Sequence, residues 1–320
     1  MARVIRISAS DAKYGGNIYE SNINKALQNF NITTFFALSW VPKKVRYFFA
    51  PIFYLLNFIK CNFCDADIVI VPLEAISFYQ KKKKHCCCSS YRSLFFSSFF
   101  SSLNQIFTYF LLVLNKNRIN KIVVVSEYWE KYLQGKGFNN IQIIYNDIDI
   151  SLRDEVKKSI RNFRVEGKTN IYIGNFHKKK GTYDLLSLLK DHYVLHTSGY
   201  KGQQIEGLIN HSRLSYPDYL KLLSDMDVCI TYSRFREGWC RTAHEALILG
   251  TKVIGSGYGG MGELLKGSSQ PIASDYLSLK IALENYDLFE IDSDYVTSFD
   301  FERFKNHGQN WWKNYELHQY

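Results

Sequence analysis

Residues 237–250 read EGWCRTAHEALILG and place Glu237 and Glu245 eight positions apart around a short, mostly apolar run. The segment DVCITYS just before them is typical of a buried strand, and Gly250 is a typical residue to follow the C-terminus of a helix. We therefore predict a strand, a loop that carries Glu237, and a helix that begins near Arg241 with Glu245 about one turn inside it.

This arrangement suits a ligand with hydroxyl groups at both ends and an anionic centre. In an open parallel sheet, ligands bind beyond the carboxyl ends of the strands, where loops enter helices. Glu237 and Glu245 can face one cavity there, with the backbone N–H groups of residues 239–242 between them, and N–H groups at a helix start attract anions. A nucleoside diphosphate sugar has this distribution of groups. The spacing leaves an alternative open, in which Glu237 caps the helix and Glu245 lies on the surface.

The chain after residue 168 alternates between apolar runs typical of strands and amphipathic runs typical of helices. Such alternation indicates right-handed crossovers and a parallel sheet buried on both faces. The predicted strands are 170–174, 193–197, 227–232 and 252–255, and the predicted helices are 182–190, 217–225 and 241–249.

The first half of the chain indicates a second domain of the same α/β class. Its strand-like runs are RVIRISA, NITTFFALSW and CDADIVIVP, and KIVVVSEYWEKYLQGKGFNNIQII follows with a strand, a helix and a strand. At roughly 100–200 residues per domain, 320 residues suffice for two domains. We expect Rossmann-like domains at 1–152 and 168–296, separated by a charged linker, with a cleft between their parallel sheets.

Two further loops between strands and helices contain residues suited to phosphate binding. GNFHKKKG, residues 174–181, has three lysines that can neutralise phosphates as point charges, and a solvated charged loop is the alternative. YGGN, residues 14–17, has two glycines that let the backbone approach a ligand, and an ordinary tight turn is the alternative.

The segment EGWCRTAHEALILGTKVIGSGYGGMGELL resembles the Glu-x7-Glu signature of the group 1, or family 4, retaining glycosyltransferases of the GT-B fold. The family's Glu-Gly-aromatic, Glu-Ala, Gly-Thr-x-Val-Ile and Gly-Gly-x-x-Glu-Leu elements are present in order and spacing. SEYWEKYLQGKGF with IQIIYNDID is similar to the end of the family's N-terminal domain, although Asp147 replaces the usual Gly. IYIGNFHKKKGTYDLL has Lys180 and Gly181 in register with the family's lysine loop, and YGGN matches its N-terminal glycine pair.

The resemblance implies a GT-B fold in which the N-terminal domain binds the acceptor and a helix at 297–320 crosses back to it. It implies a UDP- or GDP-sugar donor in the C-terminal domain and a hexosyltransferase that acts with retention on a glycan or lipid-linked acceptor. Lys180 would bind the donor diphosphate, Glu237 the transferred sugar and Glu245 the ribose hydroxyls. The other implied donor contacts are Gly15, Gly16, Asn175, Gly238, Trp239, Cys240, Arg241 and Thr242.

Three departures from the family pattern bear on these roles. Asn175 replaces an arginine and so removes a bidentate phosphate contact. The candidates to supply the missing charge are Lys178, Lys179 and Arg241. Cys240 replaces a glycine, and the family's N-domain histidine has no clear counterpart: Glu74 follows the DIVIVP strand at about its place, whereas His85 lies in the lysine block.

The family mechanism implies no metal and no further cofactor. Fixed positive groups and helix N–H donors stabilise the charge that develops on the leaving diphosphate. Lys180 and the helix start near Arg241 are suited to that role, so we expect a site without a metal ion.

Charge and cysteine content restrict the partners and the compartment. The net charge of +10, with a pI near 9.1, favours polyanions such as nucleic acid, anionic lipid or phosphorylated small molecules. No RNA-binding aromatic motif is evident, so we expect no nucleic acid partner.

Seven cysteines, three of them consecutive, suit disulfides poorly, and MARVIRISAS lacks the apolar core of a signal peptide. We expect a cytoplasmic protein.

Two segments predict peripheral contact with an anionic membrane. Residues 43–60 combine aromatic residues with basic residues at both ends, and residues 81–114 begin with a lysine block. Residues 94–114 are uncharged and long enough for a membrane span, but their serines, Asn104 and Gln105 leave an interfacial helix and a buried helix open as well. These segments favour a lipid-linked or membrane-proximal acceptor.

Three other interpretations stay open. Cys61 and Cys64, together with the HCCC run that begins at His85, could form a zinc site. A GT-B-type sugar-nucleotide epimerase is the alternative enzyme. A non-catalytic basic scaffold on membrane or nucleic acid, with a decayed glycosyltransferase fold, is the alternative outside enzymes, although the intact Glu237 and Lys180 argue against decay.

Overall fold

The structure is a computed structural model of the 320-residue chain. It describes residues 121–146 and 148–299, the isolated residues 59, 110, 113, 114, 116 and 119, and the backbone of four strands near the N-terminus. The chain divides into two compact units. The first unit is Met1–Asp147 with Glu302–Tyr320, and the second unit is Ile148–Phe301.

The first unit contains a six-stranded parallel sheet in the order β2-β1-β3-β4-β5-β6. Its strands are Arg3–Ser8 (β1), Asn31–Phe36 (β2), Ile68–Pro72 (β3), His85–Ser89 (β4), Lys121–Val124 (β5) and Ile141–Ile143 (β6). Helix α1, Glu127–Gln134, connects β5 to β6 and buries Trp129 and Leu133. The predicted strands are therefore present, and β4 is an addition that the sequence did not predict.

The second unit alternates strands and helices along the chain. Its strands are Asn170–Tyr172 (β7), Val194–Ser198 (β8), Leu208–His211 (β9), Val228–Thr231 (β10) and Lys252–Gly255 (β11). Its helices are Leu152–Val156 (α2), Thr182–Leu189 (α3), Tyr216–Ser224 (α4), Arg241–Ile248 (α5), Gly260–Gly267 (α6), Tyr276–Glu284 (α7) and Ser293–Thr297 (α8). The seven predicted elements lie within one or two residues of their predicted ends, whereas β9, α2 and α6 to α8 were not predicted.

The sheet of the second unit is parallel throughout and has the order β11-β10-β7-β8-β9. The chain adds β8 and β9 on one side of β7, and then places β10 and β11 on the other side. The order of the strands therefore reverses between β7 and β10, and ligands of open α/β sheets bind at the carboxyl ends of the strands at such a switch point. The loops that follow β7 and β10 are the ones that carry Lys180 and Glu237.

The core of the second unit explains why these apolar runs became strands. Ile171, Val228, Ile230 and Leu195 are buried with at most 1% exposure, because helices cover the faces of the sheet. Helices α3 and α7 contribute Leu185 and further leucines to the same cluster. This packing fixes the strand ends, and with them the loops at the carboxyl edge.

The division into units differs from the predicted boundaries of 1–152 and 168–296. Residues 148–167, predicted as the end of the first domain and a linker, belong to the second unit. Hydrogen bonds to three aspartates account for this placement. They join Ser159 Oγ to Asp218 Oδ1 at 2.7 Å, Phe163 N to Asp225 Oδ2 at 3.0 Å, and Arg164 Nη2 to Asp227 Oδ1 at 2.6 Å.

Several predictions fall outside the described residues. They concern Gly15, Gly16, Cys61, Cys64, the segment 43–60 apart from residue 59, most of 81–114, and residues 300–320 of the crossing helix. Where the structure is described, it has no helix both long and apolar enough to cross a membrane. The same part of the chain has no cluster of three or more His, Cys, Asp or Glu side chains that could hold a metal ion.

Candidate functional site

Two loops meet at the switch point of the second unit. β7 and β10 are neighbours in the sheet, with Ile171 opposite Val228 and Tyr172 opposite Cys229. The loop after β7 leads to α3, and the loop after β10 leads to α5. Because parallel strands end at the same edge, the two loops lie side by side there.

Lys180 is positioned by a short 3-10 helix and the glycine that follows it. The 3-10 helix spans Lys178–Lys180, and Gly181 then takes a left-handed conformation with φ 68°. A Cβ atom on Gly181 would lie 2.5 Å from the carbonyl oxygen of Tyr232, at the end of β10. Only glycine permits this approach of the two loops, so Gly181 brings Lys180 to the loop that carries Glu237.

Glu237 forms an ion pair with Lys180 across the two loops. The Lys180 ammonium donates to Oε1 of Glu237, and the Ser233 hydroxyl donates to the same oxygen at 2.6 Å. Lys180 Nζ also lies 5.0 Å from the ring centroid of Phe235, within cation–π range. Glu237 is buried, whereas the Lys180 side chain is 37% exposed. The pair therefore presents its lysine towards solvent.

The backbone of Glu237 is held by the glycine pair at residues 259–260. Glu237 N–H donates to the Tyr258 carbonyl at 3.1 Å, and Gly260 N–H donates to the Glu237 carbonyl at 2.9 Å, which makes a parallel β-bridge. Gly259 has φ 78°, and a Cβ atom there would lie 2.3 Å from the Glu237 carbonyl oxygen. The Gly-Gly element of the sequence signature thus fixes the first glutamate of the same signature.

The electrostatics of the pair keep the lysine charged. Burial is the largest single influence on the pKa of Lys180 and lowers it, but the Glu237 charge, Cys240 and the hydrogen bond to Glu237 together outweigh burial, so the net pKa lies above the usual value. A lysine that stays protonated at neutral pH can neutralise phosphate charge.

Glu245 lies inside α5, one turn from its start, and is buried. Its Oε1 accepts hydrogen bonds from the Tyr216 hydroxyl at 3.2 Å and from Arg241 Nη2 at 3.3 Å. Its Oε2 accepts from the Tyr219 hydroxyl at 3.3 Å, and the same hydroxyl contacts Thr242 Oγ1 at 3.3 Å. Burial raises the pKa of Glu245, and Arg241 partly offsets this shift. Glu245 is not a surface residue, so the alternative interpretation that placed it on the surface is wrong.

Cys240 lies between the two carboxylates. It is the residue before the first turn of α5, so Glu237 does not cap this helix. Burial raises the pKa of the Cys240 thiol to about 12, and the Glu237 carboxylate contributes to the same direction, with Lys180 opposing it and Glu245 adding to it. The thiol therefore stays protonated at neutral pH.

Trp239 points into the core and not towards a ligand. Its indole N–H donates to His244 Nδ1 at 3.1 Å, and its ring contacts Phe299 at a centroid distance of 5.1 Å. His244 Nε2 in turn lies 2.8 Å from the Val296 carbonyl. The tryptophan of the signature therefore anchors α5 to the end of the second unit, and only its backbone remains a candidate for donor binding.

The remaining predicted residues differ in their position relative to the site. Gly238 and Thr242 flank the site, in the loop and in the first turn of α5. Asn175 accepts a hydrogen bond from Ser198 Oγ at 3.3 Å, on the β8 side of the Lys180 loop. Gly15 and Gly16 lie outside the described residues, so their predicted phosphate contact stays a prediction.

Sequence reasoning missed four side chains of the site. Ser233 and Phe235 contact the Lys180–Glu237 pair, and Tyr216 and Tyr219 contact Glu245. The position of Ser233 directly after a predicted strand was a signal that could have singled it out. The tyrosines lie on α4, a separate helix, and nothing in the sequence links them to Glu245.

Comparisons with known proteins place this site in a known fold. No protein-family model and no curated protein sequence matches the chain. Solved structures match nearly all of it. Sucrose-phosphate synthase from Thermosynechococcus elongatus has a TM-score of 0.68 at 14% identity and covers 97% of this chain and 94% of its own. Anabaena HepE, in complex with UDP and glucose, has a TM-score of 0.66 at 13% identity and covers 98% of this chain and 100% of its own.

A glycosyltransferase from Rickettsia africae matches with a TM-score of 0.54 at 14% identity and covers 97% of this chain and 93% of its own. The chain has the GT-B fold. The predicted fold class is therefore confirmed, and at these identities the likeness concerns the fold.

Proposed function

We propose that this chain is a glycosyltransferase that takes a sugar from a nucleoside diphosphate sugar bound to its second unit. The observation that carries the proposal is the Lys180–Glu237 pair at the switch point between β7 and β10, with Glu237 held by the glycine bridge. UDP-sugars are the first donors to test, because HepE has been solved with UDP and with UDP-glucose.

The pair can serve a donor at two points. An ammonium has three N–H donors, so Lys180 can keep its bond to Glu237 and also bind a phosphate oxygen. Glu237, fixed by its backbone and by Ser233, would accept hydrogen bonds from hydroxyls of the transferred sugar. As the bond between the sugar and the diphosphate breaks, Lys180 and the N–H groups at the start of α5 would stabilise the negative charge on the leaving diphosphate.

Glu245 would receive the other end of the donor. A carboxylate accepts hydrogen bonds from hydroxyl groups, and little water competes for a buried one, so Glu245 is suited to bind ribose hydroxyls. Arg241, one turn away and in contact with Glu245, stands as the candidate to replace the arginine missing at Asn175. Gly15, Gly16 and the loop around Gly238 complete the proposed donor contacts.

The finer features of the reaction rest on the sequence resemblance. We propose hexosyl transfer with retention of the anomeric configuration, without a metal, to a glycan or lipid-linked acceptor. We also propose action in the cytoplasm, with peripheral contact of an anionic membrane through residues 43–60 and 81–114. NMR of the product anomer, activity in excess EDTA, and co-sedimentation with vesicles that contain phosphatidylserine test these features one at a time.

Donor turnover tests the proposal directly. The full-length protein is screened by thermal shift with UDP-, GDP- and ADP-sugars, and release of nucleotide from the best donor is then measured with and without glycan acceptors. Lys180→Ala and Glu237→Gln should each lower kcat by about 10²–10³-fold, the usual loss for a group that stabilises a developing charge. Lys280→Ala is the control, since it removes an exposed lysine on α7, outside both loops of the site.

The outcomes separate the alternatives. Turnover that is unchanged in both variants would remove Lys180 and Glu237 from the site. Conversion of the donor to an epimeric sugar nucleotide or its free sugar, with no transfer to any acceptor, would favour the epimerase. Failure of every nucleotide sugar to shift the melting temperature or to turn over would favour a non-catalytic scaffold.

A further inference from the structure

The side chains around Glu245 already occupy most of its capacity to accept hydrogen bonds. A carboxylate offers roughly four lone-pair sites. Tyr216, Arg241 and Tyr219 take three of them in this structure. Two ribose hydroxyls therefore cannot both bind Glu245 unless at least one of these partners leaves.

The contacts differ in how easily they can be released. Hydrogen bonds from a cation to a carboxylate are usually about 2.7–2.9 Å long. Arg241 reaches Glu245 at 3.3 Å and through one nitrogen, and Tyr216 reaches the same oxygen at 3.2 Å. Tyr216 is 46% exposed, so its side chain has room to move. These two partners share Oε1 and are the ones that a ligand can displace.

Tyr219 differs from both of them. It binds the other oxygen, Oε2, contacts Thr242, and packs its ring against Tyr172 at 6.3 Å. Burial raises the pKa of the Tyr219 hydroxyl well above its usual value, and the Glu245 carboxylate acts in the same direction, so this hydroxyl stays a donor. Tyr219 is a positioning residue that holds the carboxylate while Oε1 exchanges partners.

A released Arg241 would lie next to the phosphate end of the site. It is the first residue of α5, the helix whose first N–H groups are proposed to face the leaving diphosphate. Release from Glu245 takes one carboxylate away from the partly buried guanidinium, which makes another anion at the start of α5 a more favourable partner for it. The donor diphosphate, proposed to lie at the start of α5, is an anion that can take this place.

We infer that ribose binding and diphosphate binding are coupled through Arg241. The ribose hydroxyls take the Oε1 face of Glu245 from Tyr216 and Arg241, and Arg241, released from Glu245, then binds the donor phosphates. This inference rests on the proposed function and deepens it, because it makes Arg241 a specificity residue that engages the diphosphate only when a ribose is present.

A thermodynamic cycle with four nucleotides tests the coupling. Dissociation constants are measured by calorimetry for UMP, UDP, and their 2′,3′-dideoxy forms, or for the guanosine series if GDP is the nucleotide that binds. In the unmodified protein, the second phosphate should tighten binding about tenfold more for the ribonucleotides than for the dideoxynucleotides, within the usual range of coupling between sites. In Arg241→Gln, the second phosphate should tighten binding by the same factor for the ribonucleotides and for the dideoxynucleotides.

Substitutions of the two tyrosines supply a second test, because they should change the affinity for UDP in opposite directions. Tyr216→Phe removes a competitor for Oε1 and should tighten UDP binding about fivefold, whereas Tyr219→Phe removes a positioning contact and should weaken it about fivefold, the value of one net hydrogen bond. A purely structural role for both tyrosines predicts weaker binding in both variants.

Each result bears on a different claim. Equal second-phosphate factors in the unmodified protein, or weaker UDP binding in Tyr216→Phe, would overturn the coupling and leave the proposed function standing. Absence of binding by both UDP and GDP would overturn the proposed function and the coupling together.

Discussion

Gly259→Ala should damage both the stability and the candidate site, and the structure gives the magnitude. The new Cβ atom would lie 2.3 Å from the carbonyl oxygen of Glu237 and 2.7 Å from its nitrogen. These neighbours are backbone atoms, so no rotation of a side chain can relieve the contact. The residue also has φ 78° and ψ −148°, a conformation that side chains other than glycine adopt at a cost of about 1–3 kcal/mol.

The steric clash would also break the β-bridge between Glu237 and Gly259, and the lost hydrogen bonds add to the cost of the backbone strain. Separating the two segments breaks the hydrogen bonds from Glu237 N–H to the Tyr258 carbonyl and from Gly260 N–H to the Glu237 carbonyl. Each contributes about 1 kcal/mol net. Gly259→Ala should therefore lower the free energy of unfolding by about 3–5 kcal/mol and displace Glu237 from Lys180.

Gly250→Ala is the matched control for this experiment. Gly250 has φ 87°, but nothing lies within 4 Å of the position its Cβ would take, so only the left-handed conformation is strained, at about 1–2 kcal/mol. The free energies of unfolding are compared by urea denaturation, and donor turnover is measured on the folded fraction. Gly250→Ala should retain turnover, and Gly259→Ala should lose at least tenfold.

Two results would refute this reasoning. A loss of stability in Gly259→Ala no larger than in Gly250→Ala would mean that the loop relaxes without breaking the bridge. Full donor turnover in folded Gly259→Ala would mean that the bridge does not position Glu237 for the reaction.

Three further predictions concern the neighbours of the site. Ser233→Ala removes the 2.6 Å hydrogen bond to Glu237 and should lower kcat about fivefold, the value of one net hydrogen bond, while the melting temperature in a thermal scan stays within a few degrees. Burial lowers the pKa of His244 from 6.5 to about 4. The neutral imidazole therefore contributes roughly 3 kcal/mol to the free energy of unfolding above pH 6.5, and this contribution is lost as the pH falls towards 4. Urea unfolding at pH 7 and pH 4.5 should show this loss, and His244→Gln should reduce it. Trp239→Phe leaves His244 Nδ1 without its indole donor, which should cost about 1–3 kcal/mol at pH 7 and reduce the further loss of stability on acidification in the same titration, because protonation of Nδ1 no longer breaks a hydrogen bond.

Local rules predicted much of the second unit. The alternation of strands and helices gave the parallel sheet, and α5 begins at Arg241 as expected. Gly250 follows this helix in a left-handed conformation, with φ 87°, as its place in the sequence indicated. These features depend on periodicity and on the backbone freedom of glycine, both of which a single sequence displays.

Strand β4 shows where local rules fail. Its sequence HCCCS follows a lysine block and lacks the β-branched and aromatic residues that mark strands. It becomes a strand because β3 and β5 supply hydrogen-bonding partners on both sides. The strand conformation of this segment depends on its neighbours in the sheet, so no pattern within the segment could have predicted it.

The candidate site was predicted in part for a similar reason. Lys180 and Glu237 lie in loops directly after strands, and the topology rule brings such loops together. Tyr216 and Tyr219 lie on α4, and their contacts with Glu245 depend on how α4 packs beside α5. Contacts between helices that are separate in sequence require the packed structure.

The burial of α5 guides any attempt to engineer donor preference. Residues 243–248 of this helix are all buried, so a mutant library there would lose folded protein before it altered the choice of nucleotide. Tyr216 reaches Glu245 from a different helix and is 46% exposed, so the protein should tolerate a wide range of side chains at that position. Directed evolution towards new sugar nucleotides should therefore start at the first turn of α4.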